Sequence, residues 1–527
     1  MSPLTGADRI ARALSAAGCR DAFGVPGGEV LDLLAALRRQ GLRFTLVRHE
    51  NAGGFMAEGT HHVTGAPGVL LATVGPGVAN TVNVVANAQQ DRVPLIVLTG
   101  CVNPALAATY THQVFDHRAV LAPITKASLQ VVSGAVEATV DRALSIAMDG
   151  QPGPVHLDVP IEVARDVEPE LDRPRRARPL PSRPLNTDAI TSVLSRAARP
   201  LVIAGLDALD ASSSLRAFAA AWGAPVLTTY KAKGLFDERD PLSVGAFGLS
   251  PKADTVLAPF VREADMVLLV GYDPIEVRAP WREPFSPDAE VIALSREPDR
   301  HGVHRIDHLI VGHVGASLDA LHPKRVAGGS ARAELVREAL DSEFEGATSW
   351  GPDAIVSALG TLPDDTRLTC DTGAHRILVS QRLVCTWPRQ LLQSTGLCTM
   401  GCALPLAIGA KLAEPTRRVV ALMGDGGLEM VLGEVATLRE LGLAIGVLVV
   451  DDRSLALIEK KQRALGHPNA GVDFGGTDFV AVARAFGGEA ARIESREDLE
   501  AHLSSAPEGR WRMLHCPFER QAYDGRI

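Results

Sequence analysis

From Arg418 to Met423 the chain runs through β-branched and apolar residues with no polar alternation, which predicts a strand buried on both faces. Gly424-Asp425-Gly426-Gly427 follows and reads as a tight glycine turn. Leu428, Val431, Leu432, Val435, Leu438 and Leu441 then recur at helical spacing and predict one helix. Leu443 to Val450 is a second apolar run, closed by Asp451-Asp452. In a right-handed strand–helix–strand unit the two strands lie parallel, with their carboxyl ends at one edge.

The same alternation fills the rest of the chain. Residues 1–165 carry strand patterns at Phe44 to Arg48, Gly68 to Thr73, Val93 to Leu98 and Val155 to Val159. Between them lie helical patterns at Glu29 to Arg38, at Ala52 to Gly59 and from Gly75-Pro76-Gly77 through Ala88. Residues 166–187 form a linker: Asp166 to Asp188 holds five prolines and many charges with no apolar period. A second unit, 188–322, has strands at Leu201 to Ala204, Pro225 to Leu227, Met266 to Val270 and Val291 to Leu294. It has no GxGxxG after its first strand, so no nucleotide site is predicted there. After a boundary near Lys324 to Gly329, residues 350–527 form a third unit. The predicted fold is α/β, with three doubly wound parallel-sheet domains, the first and third weakly repeating one another.

The chain has 527 residues, of which 46% are hydrophobic and 22% charged, with a net charge of −9. Its basic residues form no long cluster, so a nucleic-acid partner is not expected. Seven cysteines (19, 101, 370, 385, 398, 402 and 516) lack metal-ligand spacing and predict reduced thiols in a cytoplasmic protein. The N-terminal stretch has no continuous apolar core of a signal peptide. The longest apolar run is half the roughly 20 residues a membrane span needs, so no membrane partner is expected.

Two aspartates at adjacent strand ends, Asp425 and Asp452, are placed to converge on one hard cation. A glycine turn opening a helix beside them suits a phosphate, and together they predict a magnesium–diphosphate site. Glu50 ends another predicted strand. Alone it reads as a solvated residue, and Asn51 next to it could cap the following helix. Gly24 to Gly28 and Gly75-Pro76-Gly77 fall at the same predicted sheet edge, where α/β proteins bind ligands.

These motifs together resemble the thiamine-diphosphate-dependent enzymes. FGVPGG at 23–28, RHE and MAEG within 48–59, and GPG at 75–77 are similar to their pyrimidine-binding domain. GLCTMGCALPLAIGA at 396–410 and GDGG to DD at 424–452 are similar to their diphosphate-binding domain. The central unit would be their middle domain. Within the superfamily the chain resembles acetolactate synthases, and the catabolic, flavin-independent type in particular. Thr111-His112-Gln113, Asp116, Pro123 to Lys126, Gly271 to Glu276 and Val472 to Gly475 carry that likeness.

The resemblance implies Mg²⁺ held by Asp425, Asp452 and the carbonyl of Ser454. It implies thiamine diphosphate bound by Pro26, Gly27, Gly75, Pro76, Asn80, Cys398, Met400, Gly424, Gly426 and Gly427. Met400 would lie under the bent cofactor. Cys398 would use only its backbone, where the family usually has glycine. Glu50, entering from a second subunit, would hydrogen-bond the aminopyrimidine and promote loss of the thiazolium C2 proton. His112 and Gln113 would be the polar pair near the reacting carbon; a loop histidine with a structural role is the alternative for His112. His61-His62 reads as structural. No FAD is expected, because the Asp-Asp-Arg run of flavin-dependent synthases is missing after Val270-Gly271.

Val25, Leu457, Ile458, Lys461 and Gln462 would line the substrate pocket. Leu457 with Lys461, and Ile458 with Gln462, are i,i+4 pairs. Lys461 stands where acetolactate-type enzymes carry a large aromatic residue or Gln. Either it is solvated, like its neighbour Lys460, or one substrate carries an extra anionic group. The expected activity is decarboxylation of a 2-oxo acid, pyruvate or an analogue, with transfer of the acyl unit to a second carbonyl. The alternatives are a simple decarboxylase releasing an aldehyde and a catalytically silent homologue. A homodimer or homotetramer with shared sites is implied.

Overall fold

The computed structural model describes residues 4–169, 187–274, 277–298, 301–345 and 350–527. Most of the predicted linker, residues 170–186, lies outside the described residues, as do Ile275 and Glu276 of the motif that begins at Gly271.

Three six-stranded sheets form the framework, and every pair of neighbouring strands is parallel. The first contains β1 (Asp21–Val25), β2 (Arg43–Leu46), β3 (Gly68–Ala72), β4 (Leu95–Cys101), β5 (Ala127–Gln130) and β6 (Val155–Pro160), in the order β2-β1-β3-β4-β6-β5. The second contains β7 (Pro200–Ala204), β8 (Val226–Thr229), β9 (Ser243–Phe247), β10 (Met266–Val270), β11 (Glu290–Ser295) and β12 (His308–Val311), in the order β12-β11-β10-β7-β8-β9. The third contains β13 (Arg367–Cys370), β14 (Leu391–Gln393), β15 (Val419–Gly424), β16 (Gly446–Asp451), β17 (Glu489–Arg492) and β18 (Arg512–Pro517), in the order β14-β13-β15-β16-β18-β17. Counted within each sheet, the first and third share one strand order, so the weak repeat in the sequence is a repeated topology. The middle sheet has the dinucleotide-fold order instead.

The strands are continuous apolar runs because helices cover both faces. One buried cluster joins Phe23, Phe55 and Met56 of the first unit to Leu404, Ile408 and Met423 of the third. Its seam is the crossing of helix Glu50–Thr64 over helix Ala403–Ala413, where a Cβ on Gly59 would lie 2.3 Å from the Leu406 carbonyl oxygen. A second cluster runs from the middle sheet into the third unit. The helix bearing Glu50 is thereby fixed against the third unit of its own chain.

Several local predictions change in detail. Gly424 caps a helix that begins at Asp425, so Gly426 and Gly427 belong to its first turn and make no separate turn. The single helix expected over Leu428 to Leu441 is two, Asp425–Met430 and Glu434–Glu440. The break falls where Glu434 turns to accept the backbone N–H groups of Arg48 (2.8 Å) and His49 (3.1 Å). Apolar periodicity continues across the break because both pieces cover the same core. The helix after Gly75 is likewise split, into Pro76–Ala79 and Val82–Gln90. Asn51 does not cap the Glu50 helix: His49 does, its Nδ1 accepting the Asn51 N–H at 3.2 Å.

Candidate active site

The first group of candidate residues gathers at the carboxyl ends of β1, β2 and β3. Val25 closes β1, Pro26 and Gly27 follow it, and Gly75 and Pro76 follow β3. Glu50 opens its helix and is 5% exposed; its Oε2 accepts the Asn80 Nδ2–H at 2.9 Å. Gly77 leaves the space beside Oε1 open, since a Cβ there would stand 3.4 Å away. Gln113 lies over Gly75, whose Cβ would fall 2.3 Å from the Gln113 carbonyl oxygen. His112 is exposed beside Tyr110, ring edge to ring face, and Gln113 holds φ 60°.

The second group lies at the carboxyl ends of β13, β15 and β16. Asp425 and Asp452 come together as their strand positions require. Burial first, then the Asp452 charge, pushes the Asp425 carboxyl up to about 8. Burial likewise pushes Asp452 up to about 7, with Asp451 adding to it. A buried and a half-buried carboxylate that both resist ionisation are the donor set a divalent cation neutralises. Ser454 donates its N–H to Asp452 Oδ1 at 3.0 Å. Its bridge to Asp473 is bonded through Phe474 N–H to Arg453 O (2.9 Å) and Leu455 N–H to Val472 O (2.7 Å). The Ser454 carbonyl therefore faces away from residues 472–474. Among the described residues no cluster of three or more His, Cys, Asp or Glu is arranged to hold a metal; the implied set has only two such side chains plus a carbonyl.

Several residues of this edge are given no role by the motifs quoted above. Thr372 Oγ1 and His375 Nε2 are buried without a hydrogen-bond partner, just beyond the end of β13 and beside Gly424. Burial first, then the Arg376 charge, pushes the His375 imidazole down to about 3, so it is neutral. Two orphaned polar groups next to the carboxylate pair fit a diphosphate, which would give both a partner. Asp371 accepts the N–H groups of Gly401 and Cys402, each at 2.9 Å, and anchors the loop that carries Met400. Asp451, beside Asp452, is held by His515 Nε2 at 2.7 Å. The Tyr523 hydroxyl is buried and unpartnered; burial, then Asp452 and Asp425, raises it well above the usual phenol range. Asp371-Thr372-Gly373 follows a strand as Gly424-Asp425 does, and that strand-end pattern is the sequence signal that could have revealed it.

Between the two groups runs the loop 394–400, fastened to one face of helix Val82–Gln90 and its flanks. Thr399 Oγ1 donates to Asn83 (2.8 Å), Ser394 Oγ to Asn87 (2.6 Å), and Asp91 accepts the N–H groups of Thr395 (3.0 Å) and Gly396 (2.7 Å). Cys398 sits in this loop at φ 55°, a conformation that suits glycine, with Arg376 donating to its Sγ at 3.2 Å. Glu50 and Asp425 thus belong to two separate sheet edges, and among the described residues the Glu50 carboxylate pairs with Asn80 alone.

Family models for the thiamine pyrophosphate enzyme match a stretch of each of the three units. The N-terminal TPP-binding domain matches residues 4–120, the central domain 187–321 and the C-terminal TPP-binding domain 371–514. The chain belongs to the thiamine pyrophosphate enzyme family. It is 32% identical to the acetolactate synthase large subunit of Parasynechococcus marenigrum, over 95% of this chain and 85% of that protein. It is 30% identical to the acetolactate synthase isozyme 1 large subunit of Escherichia coli, over 95% of this chain and 91% of that one. A probable acetolactate synthase large subunit of Methanocaldococcus jannaschii is 31% identical over 95% and 90%. The chain is a thiamine-pyrophosphate-dependent enzyme of acetolactate-synthase-like type. Among the described residues no helix is long and apolar enough to cross a membrane.

The helix after Asp452, Ala456–Ala464, separates the remaining candidates. Leu457 packs against the core shared by the middle and third units. Gln462 donates to the Ala470 carbonyl at 3.0 Å. Ile458, 43% exposed, and Lys461 face outward with Leu465 one turn on. Lys460 is bonded to the Ile527 carbonyl, so the two neighbouring lysines do different things.

Proposed function

We propose that this protein is a magnesium- and thiamine-diphosphate-dependent carboligase and lyase. It would decarboxylate a 2-oxo acid, pyruvate or an analogue, and transfer the acyl unit to a second carbonyl. The observation that carries this reading is the pairing of a buried, Asn80-held Glu50 at one sheet edge with the Asp425–Asp452 pair and its orphaned neighbours at another. When bound, thiamine diphosphate supplies the electron sink for loss of CO₂.

Asp425, Asp452 and the Ser454 carbonyl would hold the cation; Thr372 and His375 would face the diphosphate. Glu50 keeps one oxygen on Asn80 and the other free to hold a proton at the cofactor ring. Cys398 and Met400 would hold and support the cofactor from the loop that Asp371 anchors, with Gly424, Gly426 and Gly427 bringing backbone close beneath it. Pro26, Gly27, Gly75 and Pro76 would border it from the other edge. Two subunits would complete each site. Tyr110, Phe115, Leu397 and Met430 lie exposed on segments flanking the two groups, which supports a second copy covering them.

Lys461 would bring a positive charge to the substrate pocket beside Ile458, so one substrate would carry a carboxylate, phosphate, phosphonate or sulfonate. A flavin-free centre would follow from the missing Asp-Asp-Arg run after Val270-Gly271. Colourless purified protein is expected; a tightly bound yellow chromophore would overturn that.

The test is a panel of 2-oxo acids with Mg²⁺ and thiamine diphosphate, products read by mass spectrometry. A new C–C product is expected. Aldehyde and CO₂ in equal amounts, with no ligation product, would replace this reading by the simple decarboxylase.

A further inference from the structure

A chain of largely buried hydrogen bonds, formed by side chains not assigned above, ends on the Gly75 turn. Ser128 Oγ and His156 Nδ1 are 2.7 Å apart, and His156 Nε2 and Thr99 Oγ1 are 2.7 Å apart. Thr99 Oγ1 donates to Asp158 Oδ1 at 2.7 Å, and the same oxygen lies 3.0 Å from His117 Nδ1. The Gly75 backbone N–H donates to His117 Nε2 at 3.2 Å. Thr99, His117, His156 and Asp158 are all buried.

With His156 neutral, since burial pushes its imidazole down to about 4, one assignment of protons satisfies every link. Because Gly75 N–H is a donor, His117 Nε2 must accept, so Nδ1 carries the ring proton and gives it to Asp158. Asp158 therefore accepts from both His117 and Thr99. Thr99 in turn accepts from His156 Nε2–H, and His156 Nδ1 accepts from the Ser128 hydroxyl. The chain has one direction, from both ends toward a single carboxylate. Asp158 is suited to that role: burial acts against its charge, but the bond from His117 and the neighbouring donors hold it below the usual carboxylate range.

We propose that His117 is a positioning residue for the cofactor turn, its tautomer set by Asp158. Gly75 has φ 68° and no room for a side chain, because Gln113 stands over it. Its N–H is buried and would have no partner without His117. The turn it fixes opens helix Pro76–Ala79, and Asn80 at that helix's end holds Glu50. Asp116 sets His117 in place by capping helix His117–Leu121, its Oδ1 accepting the Ala119 N–H at 2.9 Å. His117 thus ties the loop bearing His112 and Gln113 to the turn bearing Pro76 and Asn80. The inference rests on the reading of this turn as a thiamine-diphosphate contact.

The test compares His117→Leu, which removes the acceptor, with His117→Gln, which can still present an oxygen to the Gly75 N–H. In the cofactor-free full-length protein, amide exchange of the peptide containing Gly75 should quicken at least tenfold in His117→Leu and return toward the parent rate in His117→Gln. Thiamine diphosphate affinity, measured by calorimetric titration with Mg²⁺, should fall about tenfold in the first variant and recover in the second. Unchanged exchange, or faster exchange with unchanged affinity, overturns the proposal, as does a His117→Gln that behaves like His117→Leu. A His117→Leu protein that does not fold leaves Asp158→Asn to decide, by the same two readouts. A parent protein that binds no thiamine diphosphate removes the cofactor reading itself, and this inference with it.

Discussion

Glu50 Oε2 lies 2.9 Å from Asn80 Nδ2; Glu50 opens one helix and Asn80 caps the end of another, at the same sheet edge. This contact fixes one carboxylate oxygen and leaves the other without a partner among the described residues. Glu50→Gln keeps the size and the Asn80 contact but cannot take a proton. Its steady-state turnover should fall about 100-fold or more while its melting temperature stays near that of the parent. Full turnover in this variant would point to the catalytically silent homologue.

Lys461 is exposed on the same helix face as Ile458. Lys461→Met should lower kcat/KM for an anionic substrate about tenfold, equivalent to about 1.4 kcal/mol, and change little for a neutral acceptor. Equal kcat/KM on the anionic substrate would mean that this lysine only meets solvent.

Gly427 is where helix Asp425–Met430 passes Asp371. A Cβ there would fall 1.9 Å from Asp371 Oδ2, the oxygen that holds the Gly401 N–H. Gly427→Ala should cost about 2 kcal/mol or more and loosen the Met400 loop. Urea unfolding gives the first number and thiamine diphosphate titration the second; a variant as stable as the parent would show that Asp371 can move.

Cys398 is the one cysteine of seven that is not buried. A disulfide-exchange reagent should release one thiol equivalent from the folded protein and the other six only after unfolding. Cys398→Gly should abolish the fast equivalent. A fast phase that survives this change would place the reactive thiol elsewhere.

His61 is pushed down to about 3 by burial first and the Arg389 charge second, while the unfolded chain titrates near 6.5. As pH falls below 6.5 the unfolded state takes up a proton that the folded state refuses, so this histidine's contribution to stability is lost from about 6.5 down toward 3. His61→Asn can keep the bond to the Ala66 carbonyl, 2.9 Å in the parent, without titrating. Its stability relative to the parent should therefore improve between pH 7.5 and 5, by up to about 1.4 kcal/mol per pH unit within that window. Parallel urea midpoints at the two pH values would contradict this.

The apolar runs Met266 to Val270 and Arg418 to Met423 were readable as buried parallel strands because helices cover both faces, leaving no reason for polar alternation. Asp425 and Asp452 were readable as a pair because strand ends in a parallel sheet share one edge. The sequence by itself also determined the cofactor family, through glycine and acidic residues whose spacing is set by backbone contacts. It did not determine the helix break before Glu434, since periodicity records which core is covered and not whether the backbone is continuous. Nor did it separate Leu457 from Lys461, since an i,i+4 pair shares a face only until one member meets a core. The orphaned Thr372 and His375, and the Asp451–His515 and His117–Asp158 links, were decided only by tertiary structure. The linked partners lie tens of residues apart, and a buried donor declares its role only when the group that must receive its hydrogen bond is in place.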